Sequence, residues 1–473
     1  MIALALALIP VLVALVLSSG QVKARAPEVM IAVALACTTL AVFEVVRPAN
    51  EFLFLRLVHL DATSRLFLVV INGIFLGISA YVAGRVRSVP ALADEGARFS
   101  ALALVFLAAT NVVLMANHLM VQWIALEATT LAVAPLIIRP GVTASRQASW
   151  RYLLFSSVGL GLVMLGFLCL GRGMEAAGAQ PNFFFDQLPA ITGPWGKLGL
   201  ALIILGLGTK LGLAPMYSWL PEAYDEAPPA VTALLGAVQF NAALVMLMRV
   251  VQAWRGDNAT LVTTELLLMG VVSMVVSTAS IIATRNMKRL LAYASINHAG
   301  VIAIGVGIGK GAAYGVLLYV ISNAFIKAIL FLTAGKIKAH YRTKDTRKIQ
   351  GLINDLPYSG AFLMVGTFAL LGFPPFGSFF GELLILSALV GSGQFLVFAA
   401  FCVLITMTFV ATGRTIFPMI WGEAKQEVTW PRQTLSSVGA KLVFLIALVA
   451  LGVFVPPAVN ELLQDVAHSM EGR

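Results

Sequence analysis

The feature that most limits this chain is its succession of long apolar runs. Segments such as 99–117 and 394–413 carry apolar residues on every side of a helical projection. A helix in water keeps a polar face, whereas about 20 apolar residues are what crosses ~30 Å of hydrocarbon. Only 11% of the residues are charged, against roughly 25% in soluble domains. The expected fold class is therefore all-α, a polytopic membrane protein whose solvent is the lipid bilayer.

Fourteen spans are expected, at 1–18, 28–46, 64–84, 99–117, 119–138, 150–171, 197–219, 229–249, 262–284, 290–309, 312–335, 358–391 (broken), 394–413 and 438–457. No basic region precedes the first span, and Lys23 and Arg25 follow it, so it does not read as a cleaved signal. Loops after odd-numbered spans hold 21 lysines and arginines, and loops after even-numbered spans hold 8. By the positive-inside rule the odd loops are cytoplasmic and both termini face outward. The net charge of +10 follows from that bias and gives no reason to expect nucleic acid as a partner.

Cys37, Cys169 and Cys402 stand singly inside apolar spans. Without a CxxC pair, an iron–sulfur or zinc site is not expected. The phosphate-loop, dinucleotide and HExxH signatures are also missing from the sequence. We expect no cofactor and no metal, so any redox chemistry belongs to a partner.

The chain repeats itself. LGLAPMYSWLPE at 211–222 aligns with LGFPPFGSFFGE at 371–382, with five of twelve positions identical. Each copy lies in a span interrupted by proline: Pro215 in the seventh, Pro374 and Pro375 in the twelfth. Five spans separate the copies, and an odd number inverts the second across the membrane. We expect one transmembrane domain over 1–473, built of two inverted five-helix repeats over roughly 99–249 and 262–413. Proline removes an intrahelical hydrogen bond, and lipid offers no replacement. Each break thus implies a hydrated pocket, and Lys210 lies at the first.

Few ionisable residues lie deep in spans: Glu127, Lys210, His298, Lys327 and Glu382. Each acid or lysine at the centre costs roughly 2.5–3.5 kcal/mol on insertion scales. Glu127 could merely anchor helices. Paired with Lys210, it forms a switch whose opening and closing changes how firmly the lysine holds its proton. Lys327 shares a helical face with Asn323, four residues earlier; the bland alternative is a snorkelling lysine. His298 suits a proton relay or a structural hydrogen bond. Glu382 is the acid of the second broken span. Gln239 and Asn241 can hold water but carry no charge. Glu222, Asp225 and Glu226 either gather cations at the cytoplasmic mouth or form a solvated loop.

WIALEATTLAVAPLI, GLGTKLGLAPMYSWLPEAYDEAPPAVTALL, NMKRLLAYASINHAGVIAIG, NAFIKAILFLTAGK and GFPPFGSFFGELLIL together resemble the antiporter-like subunits of complex I, of Mrp-type cation/proton antiporters and of group 4 [NiFe] hydrogenases. The resemblance runs from about residue 60 to 420 and is strongest to hydrogenase-4 membrane component F. It implies a fourteen-helix core, a glutamate–lysine pair at Glu127 and Lys210, and central positions at His298, Lys327 and Glu382. Two departures thin this axis: Asn241 stands where many complex I relatives have lysine, and Asn323 where a histidine is common. The sequence ends soon after the fourteenth span, which argues against the distal complex I subunit with its long lateral helix.

The expected function is translocation of protons or Na+ by a non-catalytic subunit of a larger redox-driven complex in the bacterial inner membrane, alongside other membrane subunits. Two readings compete with it. One is a subunit of an Mrp-type antiporter or an inorganic-carbon uptake complex, and the other is a docking scaffold that no longer conducts.

Overall fold

The computed structural model describes residues 2–19, 23–46, 55–189, 193–422 and 435–471. Its main helices are α1 (Ile2–Ser18), α2 (Ala26–Val46), α3 (Ala62–Ser88), α4 (Ala93–Met115), α5 (Leu119–Ile137) and α6 (Thr143–Ala176). They continue as α7 (Pro194–Leu211), α8 (Trp219–Glu226), α9 (Pro229–Trp254), α10 (Asn258–Ala283), α11 (Met287–Ile308) and α12 (Ala313–Tyr341). The chain then runs through α13 (Pro357–Leu370), α14 (Gly377–Gly391), α15 (Phe395–Trp421), α16 (Leu435–Val453) and α17 (Pro457–Glu471). Among the described residues the backbone forms no sheet, only three isolated bridges.

Ten of these helices are long and apolar enough to cross a membrane, or eleven if α16 and α17, bent by 71°, count as one. The other three segments expected to span are shorter or interrupted: α1, the α7–α8 pair and the α13–α14 pair. Burial sorts the helices into layers. The apolar core of α9 is entirely buried by protein, but only 17% of that of α15. α9, α11 and α12 therefore form the centre and α15 lies at the periphery.

Small residues set the tightest contacts, as expected where lipid offers no hydrophobic drive for helices to associate. Gly159 and Gly166 of α6 face Gly206 and Gly199 of α7; a Cβ on Gly206 would meet the Gly159 carbonyl at 2.5 Å. Gly270 of α10 and Gly300 of α11 repeat the arrangement.

Arg249 ends the expected 229–249 span and counts among the 8 basic residues of the even loops. It is instead inside α9 and buried, because polar groups reach it from neighbouring chain. It donates to Asp61 Oδ1 at 2.9 Å, Ser64 Oγ at 2.7 Å, the Leu114 carbonyl at 3.1 Å and the Ala116 carbonyl. Asp61 also caps α3, accepting from Ser64 N at 2.7 Å. The amphipathic α17 was not foreseen, since reading apolar runs stops at residue 457. Tyr314 donates to its Asn460 at 2.7 Å, and its Glu471 accepts from Gly311 N at 2.8 Å.

Two measurements check this packing. A Cβ on Gly452 of α16 would lie 1.7 Å from the Pro375 carbonyl, so Gly452→Ala should destabilise the purified protein by about 1–3 kcal/mol; an unchanged thermal midpoint means α16 does not press on that segment. The second concerns Asp61. Burial raises its carboxyl, but the Arg249 charge and the Ser64 hydrogen bonds outweigh this and hold it below its ordinary 3.8. A depressed carboxyl stabilises fully above its unfolded value and loses that contribution as pH falls through its folded value. The thermal gap between wild type and Asp61→Asn should thus be steady above about pH 5 and close below about pH 4. A gap independent of pH would show that the clamp is not ionic.

Candidate functional site

The first break places Lys210 in the last turn of α7. Gly212, at φ 72°, ends the helix in the left-handed region that glycine tolerates. Leu213 N then donates to the Gly208 carbonyl at 2.8 Å, and Trp219 Nε1 caps the Thr209 carbonyl at 2.8 Å. The amide of Ala214 is taken by Ser273 Oγ of α10 at 2.8 Å. The backbone cut loose by the break is thereby satisfied within protein. The break also gives Lys210 the negative end of a helix dipole, a favourable place for an ammonium.

No ion pair within 4.0 Å joins Glu127 to Lys210; a hydroxyl stands between them. Lys210 Nζ donates to Thr130 Oγ1, and Thr130 donates to Glu127 Oε2 at 3.3 Å. Ser157 of α6 donates to the other carboxylate oxygen at 2.9 Å. Lys210 is buried, while Glu127 keeps partial exposure. Its Nζ also lies 5.7 Å from the Tyr152 ring centroid.

Tyr152 leads towards the centre. Its hydroxyl is 2.7–2.9 Å from the Gln239 amide, which also donates to Thr129 Oγ1 at 3.1 Å. Gln239 closes a wide helical turn, Leu234–Gln239, in which Phe240 N reaches back to the Leu235 carbonyl. Such π-type turns often mark functional sites. Phe240, the next residue, lies 3.9 Å from Lys327 Nζ, measured to its ring centroid. The Lys327 ammonium has no hydrogen-bond partner among the described residues. Asn323 Oδ1 and Asn241 Oδ1 are likewise unpartnered there, and Asn241 spends its amide on the Ala237 carbonyl at 2.6 Å.

His298 Nδ1 hydrogen-bonds the Tyr319 hydroxyl. Beside it lies a buried network that joins Asn297, Ser277, Thr278 and Thr408. The second break matches the first at an offset of 160 residues: Phe373 N donates to the Phe368 carbonyl at 3.1 Å, and Gly372 has φ 67°. Ser378 Oγ caps the Ala369 carbonyl at 2.7 Å, as Trp219 caps Thr209. Glu382 folds back on this break; its Oε2 would lie 2.8 Å from a Cβ on Gly372.

The geometry thus links Glu127, Lys210 and Gln239, sets Lys327 behind Phe240, and leaves His298 and Glu382 on the far side. Sequence reading missed Thr130, Tyr152, Ser157 and Tyr319. These are neutral groups common in spans, and only their neighbours reveal them. At one mouth, Glu222 pairs with Arg151, and Glu226 with Arg139 and Lys344. Asp225 is buried between Lys344 at 2.7 Å and Arg289 at 3.3 Å. A buried carboxylate held between two cations is more than a solvated loop would require.

Residues 116–408 match the family described as NADH:quinone oxidoreductase/Mrp antiporter, transmembrane. The chain is 30% identical over 367 residues to a hydrogenase-4 component F homologue of Methylacidiphilum infernorum, covering 75% of each. A chain of the membrane-bound sulfane sulfur reductase, an archaeal respiratory membrane complex, superposes with a TM-score of 0.87 at 21% identity, covering 99% of this chain and 97% of that one. A chain of the Mrp complex from Dietzia sp. superposes with a TM-score of 0.85 at 18% identity, with the same coverage.

If the Thr130 hydroxyl is the link, Thr130→Val strands a buried ammonium, at a cost of about 1–3 kcal/mol. Proton uptake into vesicles should slow roughly tenfold or more, and Thr130→Ser should restore it. Equal rates in the valine variant and wild type would remove Thr130 from the path.

Proposed function

We propose that this chain, which belongs to the NADH:quinone oxidoreductase/Mrp antiporter family of transmembrane subunits, carries protons across the membrane as a non-catalytic part of a larger redox-driven complex. One observation carries the reading: a buried lysine at a cut helix end, joined to a carboxylate through a single hydroxyl. A proton can pass from ammonium to hydroxyl to carboxylate with little atomic movement, converting a charged pair into a neutral one. In a low-dielectric setting those two states respond strongly to nearby charge, so a change in a neighbouring subunit can tip them.

Lys210 is then the loading station. Tyr152 and Gln239 lead from it, Lys327 receives, and His298 with Tyr319 carries onward to Glu382. The equal hydrogen bonding at the two breaks supports the inverted-repeat reading over 99–249 and 262–413. The excess of basic residues supports an orientation with the Asp225 mouth in the cytoplasm of a bacterium and both termini outside. The name of the Methylacidiphilum relative favours a hydrogenase-type complex as host.

The test is replacement of Lys210. Lys210→Ala should abolish proton uptake while the complex stays assembled, because Glu127 can become neutral by protonation. Lys210→Arg should fail too, since a guanidinium does not release its proton in proteins. Uptake is read in vesicles and normalised to complex on native gels. Wild-type pumping by the arginine variant leaves Lys210 as a structural charge and defeats the proposal.

A further inference from the structure

The periphery holds a groove that no step above uses. It has a volume of about 810 Å3 and lies between the end of α10, the turn at Thr346–Lys348 and the C-terminal half of α15. Arg285, Arg347 and Arg414 line one end, and Ile282, Met407 and Val410 the other. Arg347 is tied to Asp345 at 3.0 Å. Arg285 and Arg414 have no carboxylate within 4.0 Å among the described residues. Three guanidiniums with one carboxylate, Asp345, beside them leave the groove net positive, a field that attracts an anion.

The apolar end names the kind of anion. Ile282, Met407 and Val410 are 57%, 45% and 58% exposed, and they continue inward from the arginines. Seven residues of helix separate Met407 from Arg414, about 10 Å, so the groove runs from the membrane surface into hydrocarbon. A soluble phosphate would use only the arginines. An amphiphile uses both ends.

We infer that this groove binds an anionic glycerophospholipid, with its phosphate on Arg285, Arg347 and Arg414 and an acyl chain along Ile282, Met407 and Val410. Guanidinium forks suit phosphate oxygens, and basic pockets between helices on the cytoplasmic side take such headgroups. The bound lipid would brace α15, the least enclosed of the long helices, against α10.

The experiment uses the full chain in its assembled complex, in detergent micelles doped with phosphatidylglycerol, phosphatidylcholine or inorganic phosphate. Phosphatidylglycerol should raise the thermal midpoint, and the other two should not. Removing each arginine (Arg285→Gln, Arg347→Gln, Arg414→Gln) should raise the half-saturating phosphatidylglycerol roughly fivefold. Met407→Trp, which fills the groove and leaves the arginines intact, should weaken the response likewise, so the proposal stays testable if an arginine variant assembles poorly. An equal response to phosphatidylcholine, a full response to inorganic phosphate alone, or an unchanged response in all these variants overturns it. So does loss of a neighbouring subunit from the arginine variants with the lipid response intact, because a protein then covers the groove.

Discussion

A backbone carbonyl released inside a membrane and a charge buried there have the same problem, and here each relieves the other. α7 stops at Leu211, and Lys210 stands in its last turn, where the end carbonyls of a helix concentrate negative potential. Separately, either element would cost several kcal/mol in hydrocarbon. The remaining features close around this arrangement. Trp219 and Ser273 take the loose backbone groups, α8 returns the chain into the bundle, and the glycine contacts between α6 and α7 hold Tyr152 beside the lysine.

The two breaks share a backbone and differ in chemistry. Lys210 precedes Gly212 by two residues, whereas the residue in the same place before Gly372 is Leu370. The carboxylates exchange roles as well: Glu222 is spent on Arg151 at the mouth, while Glu382 turns back onto its own break. One half holds a cation at the cut helix end and the other holds an acid. Two breaks that are alike in backbone thus differ in the charge held beside them.

Much of this was legible because lysine, glutamate and proline are conspicuous in apolar sequence. Pro215 and Pro375 marked interruptions, and the helices do stop at Leu211 and Leu370. The links between charges were not legible. Thr130 and Tyr152 carry no charge and follow no periodicity, so only tertiary contact distinguishes them from other polar residues in spans. Arg249 looked like loop because its partners, Asp61, Ser64 and two carbonyls, lie far away in sequence. The wide turn at Leu234–Gln239 leaves no mark in composition, since a helix with one extra residue per turn uses the same amino acids.

The Phe240 ring has an electrical consequence. From Glu127 to Lys210 and from Tyr152 to Gln239 polar groups follow one another at hydrogen-bonding distance; at the cation–aromatic step between them the Tyr152 ring carries a hydroxyl, whereas the ring that meets Lys327, Phe240, carries none. An aromatic face steadies a cation but has no lone pair with which to pass a proton on. An unbroken wire across the membrane would let the transmembrane potential, about 2.3 kcal/mol per charge per 100 mV, drain through this chain continuously. On the proposed path the Phe240 ring, 3.9 Å from the Lys327 ammonium, would be an insulator in series, which only a proton carrier beside it, such as water, could bypass.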